Sequence, residues 1–156
     1  MVFYINIAAT QYSLKHKSFN VYIAGCDGLC GDGCHNKEIW DFNKGEKYNL
    51  TWKNNVKSKL INFDKIVDKI FIMGGEPLLQ SRNELLSLIS FLKMFSNEIW
   101  LWTRFELNEI DDGIKCLCNY IKTGKYIEQL ETDNNIQYGI KLATSNQNVY
   151  KLGVDY

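Results

Sequence analysis

Proline, histidine and net charge are scarce in this sequence of 156 residues, and each shortage excludes something. The one proline, Pro77, leaves few rigid breaks, and no Pro/Ser-rich linker or internal repeat divides the chain. A single domain over residues 1–156 is the expectation. Eighteen Lys and Arg balance eighteen Asp and Glu, so neither a polyanion-coating surface nor an acidic tail is implied, and nucleic acid is a poor partner. No apolar run approaches the ~20 residues of a membrane span. The opening MVFYINIAATQ has no basic n-region and no small-residue cleavage site, so it does not read as a signal peptide. The cytoplasm is the expected compartment, where disulfides are rare. The chain is also too short for a complete eight-fold β/α barrel, which takes about 250 residues.

Cysteine, in contrast, is clustered. Cys26, Cys30 and Cys34 lie within nine residues, and the loop between them carries Gly28, Gly31 and Gly33. Glycines let the chain curl so that several sulfurs point inward. Three thiolates in one compact loop suit three irons of an iron–sulfur cluster with the fourth iron left open. They equally suit a structural zinc, with His35, Cys116 or Cys118 as the fourth ligand. Spacing alone leaves both open. Cys116 and Cys118 alternate with their neighbours and read as small residues on one strand face, and His35 reads as a neighbour of Cys34.

The element pattern gives these residues a place. Val2 to Ala8 reads as an edge strand, and Phe19 to Ala24 as a buried strand running into the cysteine loop. A helix is expected over Asn49 to Asn62 with Thr51 as cap, then an apolar strand Lys69 to Met73 halted by Gly74-Gly75. Ser81 and Glu84 form a capping-box pattern ahead of the stripe Leu85, Leu86, Leu88, Ile89 and Leu92. Glu98 to Thr103 and Lys115 to Lys122 read as further strands, with a short helix at Leu107 to Asp111 and a turn at Tyr126 to Leu130. Ile136 to Leu152 reads as two extended pieces around Ser145-Asn146-Gln147. Alternating strands and helices give a parallel sheet whose ligands sit beyond the carboxyl ends of the strands. The cysteine loop, Gly74-Gly75-Glu76 and Thr103-Arg104 each follow such an end, so three unusual segments converge on one rim.

Taken together these segments resemble the radical S-adenosylmethionine superfamily, and within it the small activating proteins of anaerobic ribonucleotide reductase. The resemblance is carried by Gly25-Cys26-Asp27-Gly28-Leu29-Cys30-Gly31-Asp32-Gly33-Cys34-His35-Asn36, Trp40-Asp41-Phe42, Gly74-Gly75-Glu76-Pro77-Leu78, Trp102-Thr103, Tyr120-Ile121-Lys122-Thr123-Gly124 and Ser145-Asn146-Gln147. Two departures stand out. Three residues, Gly31-Asp32-Gly33, separate the second and third cysteines where the family usually has two, and Arg104 follows the threonine where the family often has glycine.

The resemblance implies an α/β fold, a partial and open β/α barrel of about five or six mostly parallel strands. It implies that Cys26, Cys30 and Cys34 ligate one [4Fe-4S] cluster whose open iron chelates S-adenosylmethionine. Asp32 and Gly33 count among the implied cofactor-binding residues, Gly33 letting the cofactor pack on the loop and Asp32 bulging away from the cluster. Gly74, Gly75 and Glu76 would receive the methionyl amino group, and Thr103 completes the implied cofactor contacts, with Cys34 among them. Arg104 is a candidate for the cofactor carboxylate. The implied reaction is reductive cleavage to a 5′-deoxyadenosyl radical, which installs a glycyl radical on the large subunit of anaerobic ribonucleotide reductase. A low-potential electron donor such as flavodoxin is the implied second partner.

Overall fold

In a computed structural model describing residues 4–62 and 66–156, apolar residues that alternate along each central strand are buried on both faces of one sheet. Strands β1 (Asn6–Ser13), β2 (Ser18–Ile23) and β3 (Glu46–Lys47) precede helix α1 (Leu50–Asn62). Next come β4 (Lys69–Gly74), α2 (Arg82–Lys93), β5 (Ile99–Trp102), the short α3 (Asp112–Lys115) and β6 (Tyr120–Thr123). The chain closes with β7 (Ile136–Gln137), β8 (Ile140–Lys141) and β9 (Asn148–Lys151). The seven-stranded sheet has the order β3-β1-β2-β4-β5-β6-β9, and β7 with β8 form a separate hairpin.

The pairs β2–β4, β4–β5 and β5–β6 are parallel, while β1–β2, β1–β3 and β6–β9 are antiparallel. The parallel part therefore comprises the four strands β2, β4, β5 and β6. The stretch Lys115 to Lys122, expected as one strand, divides. Asp111 accepts hydrogen bonds from the N–H groups of Gly113 and Ile114, which starts a helical turn, and the strand begins only at Tyr120. The N-terminal strand is not the edge either, since β3 pairs outside it. Val2 and Phe3 lie outside the described residues.

One face of the sheet, with Val21, Ile70, Ile72, Leu101 and Ile121, packs against Trp52, Val56 and Leu60 of α1 and Leu85, Leu88, Ile89 and Leu92 of α2. Each such fully buried side chain contributes about 1.5–3 kcal/mol of transfer free energy. The other face carries Phe71, Trp100 and Val149 and is covered by Ile140 and Leu142 from the C-terminal segment. Trp100 stacks on Tyr120 with ring centroids 4.1 Å apart. Helix caps differ from expectation. Asn49, not Thr51, caps α1 by accepting from the Trp52 N–H at 3.0 Å. Ser81 precedes α2 without a side-chain cap, and only its carbonyl is engaged, by the Leu85 N–H. Among the described residues no helix is long and apolar enough to cross a membrane.

Candidate functional site

The parallel strands β2, β4, β5 and β6 all end at the same rim, and a cavity opens there. Cys26, Cys30, Cys34, Gly74, Gly75, Glu76, Thr103, Arg104 and Lys122 all line it. Seven of these are the expected cluster or cofactor residues, Arg104 is the candidate for the cofactor carboxylate, and Lys122 belongs to a segment of the resemblance that carries no assigned role.

The cysteine loop leaves β2 and is stitched to the next rim segment by backbone bonds. Gly75 N–H donates to the Ile23 carbonyl and Glu76 N–H to the Gly25 carbonyl, both at 2.8 Å. Gln80 adds a strut, its Nε2 donating to the carbonyls of Ala24 at 3.1 Å and Glu76 at 3.2 Å. A Cβ on Gly75 would lie 2.3 Å from the Gly25 carbonyl oxygen, so this close approach of two backbones admits only glycine. All three loop cysteines are free thiols and half-buried. Among the described residues no three His, Cys, Asp or Glu side chains gather around one point as a mononuclear ion requires. A four-iron cluster, which takes each thiolate on a different iron, does not ask for that convergence.

Glu76 is only 2% exposed and ties the site together. Its Oε1 accepts from Thr103 Oγ1 at 2.7 Å and from the Leu78 N–H at 3.0 Å, and its Oε2 accepts from the Arg104 N–H at 2.9 Å. Burial pushes its carboxyl above the ordinary range, against the pull of these three donors. Thr103 in turn donates its N–H to the Lys122 carbonyl at 2.9 Å, fixing the exit of β5 on β6. Thr103 therefore reaches Glu76 through a buried side-chain bond that sequence spacing does not disclose.

Arg104 does something other than offer a free cation. Its guanidinium grips the Asp27 carboxylate with both terminal nitrogens, Nη2 to Oδ2 at 2.7 Å. This fork holds the Asp27 carboxyl down to about 2 and clamps the cysteine loop to the end of β5. Arg104 Nη1 also stands 3.9 Å from Cys26 Sγ. Burial raises the Cys26 thiol, while the Gly28 N–H and the Arg104 charge pull it the other way.

Asp32 and Gly33 lie outside the cavity lining. Asp32 points into solvent and pairs with Lys37 at 3.2 Å. Gly33 makes room for this chain's own Tyr126, whose ring would lie 2.4 Å from a Cβ there. Replacing Asp32 by alanine is therefore expected to leave bound iron per chain unchanged, as read by iron assay, because an exposed ion pair of this kind contributes only ~0–1 kcal/mol.

Cys116 and Cys118 are remote from the rim. Cys116 is exposed in the turn after α3, whereas Cys118 is fully buried, and burial drives its thiol up to about 12. Alkylation of the native chain at neutral pH, read by mass spectrometry, is expected to modify Cys116 and spare Cys118, since only an accessible thiolate reacts. Gln147 joins the cavity wall as a brace. Its Oε1 accepts from the N–H groups of Ala143 and Thr144, and its Nε2 donates to the Gly124 carbonyl at 3.2 Å.

Lys122 is the residue that sequence reasoning missed. On β6 it faces the cavity side of the sheet, in register with Trp102 on β5. Burial pulls its ammonium down to about 8, with Glu76, Cys30 and Glu106 pulling it up. The available signal was a lysine alternating with Ile121 in the apolar strand Tyr120-Ile121-Lys122-Thr123; its place beside Trp102 comes from the β5–β6 register.

Comparison with known proteins places this geometry. The chain is 27% identical to the anaerobic ribonucleoside-triphosphate reductase-activating protein of Salmonella typhi over 138 residues, 85% of this chain and 86% of the relative. It is also 27% identical over 115 residues to the protein of that name from Vibrio cholerae serotype O1, covering 70% of this chain and 74% of the relative. The Haemophilus influenzae protein of the same name is 26% identical over 117 residues, 70% and 74% of the two chains. No solved structure matches the chain. The family profile described as a 4Fe-4S single cluster domain matches residues 17–150, which include every rim segment described above. The chain belongs to the family of 4Fe-4S single cluster domains.

Proposed function

We propose that this protein is a radical S-adenosylmethionine enzyme that activates anaerobic ribonucleoside-triphosphate reductase. The observation that carries the reading is the meeting of three half-buried thiols, the Gly74-Gly75 turn and Thr103 on one cavity in a chain of the 4Fe-4S single cluster family. The names of its relatives in Salmonella typhi and Vibrio cholerae support the choice of partner. Cys26, Cys30 and Cys34 would hold three irons of a four-iron cluster, and the nine-residue loop, with no fourth thiol, would leave the fourth iron to a small ligand. Such a cluster would supply the electron for reductive cleavage of S-adenosylmethionine to methionine and a 5′-deoxyadenosyl radical, the species that would take a hydrogen atom from a glycine of the partner.

The chain's own part is orientation and exclusion of water. Gly74 and Gly75 let their turn pack against the backbone of Ile23 and Gly25, where a Cβ would lie 2.5 and 2.3 Å away, and so hold the backbone of the turn at the cavity wall. Glu76 keeps the turn, Thr103 and Arg104 in one rigid frame through its three hydrogen bonds. Arg104 holds the cysteine loop shut against β5 through Asp27. The four parallel strands are, in this reading, the wall of an open β/α barrel whose uncovered mouth admits an extended glycine-bearing segment. The balanced charge of the chain suits such a segment better than nucleic acid. A low-potential donor such as flavodoxin, in the cytoplasm, would supply the electron that the cluster passes on.

The test is anaerobic mixing of reduced protein, S-adenosylmethionine and the reductase large subunit from the same source, followed by electron paramagnetic resonance. A glycyl doublet that disappears when the target glycine is alanine is expected. Cofactor cleavage with no radical on the reductase would refute the partner, and no cleavage at all would refute the chemistry.

A further inference from the structure

Both charges of the Asp27–Arg104 pair stand beside one sulfur. Cys26 Sγ lies 3.9 Å from Asp27 Oδ1 and 3.9 Å from Arg104 Nη1, while Nη2 of the same guanidinium reaches Asp27 Oδ2 at 2.7 Å. The cation is held in that position from several sides. The Arg104 N–H is engaged by Glu76 Oε2 at 2.9 Å, its guanidinium lies over the Phe105 ring at 4.9 Å, and its side chain is only 12% exposed. Asp27 is fixed from its own side by accepting the Leu29 N–H at 3.2 Å. A clamp between the cysteine loop and the end of β5 does not require this placement, since a pair bridging them elsewhere would hold the loop equally well. The placement adds one charge of each sign beside a single cluster ligand. Arg104 also stands where the family that the chain resembles often has glycine.

The signs of these charges matter because of what Cys26 becomes. The free thiol donates to Asp27 Oδ1, but an iron ligand is a thiolate with no proton to give. The carboxylate then faces the sulfur as a like charge, and a negative charge close to a cluster makes a further electron harder to add. Arg104 supplies the opposite. Its Nη1 donates to the same sulfur, and both that hydrogen bond and the positive charge favour the reduced state. We propose that Asp27 and Arg104 form a charge-balanced pair that sets the reduction potential of the cluster, with Arg104 as the positioning residue that offsets the Asp27 carboxylate at Cys26 Sγ. The inference rests on the proposed function, because it takes the three-thiol loop as the seat of the cluster. The electron concerned is the single one that a low-potential donor gives up and the cluster takes, and no bond of this chain forms or breaks in that transfer.

The experiment is an anaerobic redox titration of the cluster-loaded chain with dithionite, without S-adenosylmethionine, counting the reduced cluster by electron paramagnetic resonance. Arg104→Gln leaves the carboxylate unopposed. The ratio of reduced to oxidised cluster at a fixed applied potential is expected to fall about tenfold, which is about 59 mV for one electron. Asp27→Asn leaves the cation unopposed and is expected to raise that ratio by about the same factor. The double variant removes both charges and should return to within about threefold of the unaltered chain. A pair that only holds the loop behaves differently. Either single substitution breaks the same fork, so both would move the ratio in one direction, and the double variant would resemble the singles. Iron and sulfide per chain and circular dichroism establish that cluster and fold are intact in each variant. Should Arg104→Gln lose its iron, the direction of the Asp27→Asn shift decides alone. Shifts of the same sign in the two single variants, or an Asp27→Asn ratio that falls or stays unchanged, would overturn the proposal. Failure of the unaltered chain to take up a four-iron cluster would instead sink the proposed function itself.

Discussion

Cys26→Ala, Cys30→Ala and Cys34→Ala are each expected to abolish bound iron, whereas Cys116→Ala and Cys118→Ala retain it. The family carries one four-iron cluster, and only the first three thiols line the cavity where β2, β4, β5 and β6 end. Removing one of three protein thiolates leaves two, too few to hold a cluster against loss to solvent. Cys118 does not substitute, being fully buried among the apolar residues on the helix side of the sheet, while His35, beside Cys34 on the cavity wall, packs edge-on against the Tyr126 ring. Iron and sulfide assays per chain after anaerobic reconstitution decide the matter. Iron loss in Cys118→Ala at full fold stability would move that thiol into the site and break the assignment. Retention of a full cluster in Cys34→Ala would mean that the three-residue spacing places another ligand third.

Glu76→Ala is expected to lower stability by about 3 kcal/mol, because one buried donor, the Thr103 hydroxyl, and two part-buried ones, the Leu78 and Arg104 N–H groups, lose their acceptor at about 1 kcal/mol or more each. For a domain of this size that corresponds to a fall in Tm of roughly 6–12 °C. Glu76→Gln is expected to lie about halfway. Its carbonyl oxygen keeps Thr103 and Leu78, which share Oε1, but its amide then faces the Arg104 N–H that needs Oε2. The pH dependence has a definite sign. Burial raises the Glu76 carboxyl above its unfolded value, so the folded chain holds that proton more tightly. The contribution of this group to stability is therefore largest below the unfolded value and declines as pH rises through the folded one. Glu76→Gln should lack that slope. Thermal unfolding of the three proteins across this range measures both effects, and an unchanged Tm in Glu76→Ala would show that the rim does not depend on this carboxylate.

The cysteine loop was legible in the sequence because its chemistry is local. Three thiols and three glycines within nine residues prescribe a curled loop whatever lies elsewhere. The rim could be inferred too, since strand periodicity and Gly74-Gly75 mark where strands stop, and ligands collect at those ends. Local signals misled where tertiary partners compete with them. The capping-box pattern at Ser81 forms no side-chain cap, and the alternation of Cys116 and Cys118 gave way to a helical turn nucleated by Asp111. What only the tertiary structure decided is which charges neutralise each other. Asp27 and Arg104 are 77 positions apart, and Glu76 and Thr103 are 27 apart. Such pairings depend on strand order and register, which bring distant loops within the ~3 Å over which a hydrogen bond forms. For the same reason the neighbourhood of Trp102 and Lys122 is absent from the linear chain: it exists only once β5 and β6 pair in parallel with these two residues side by side.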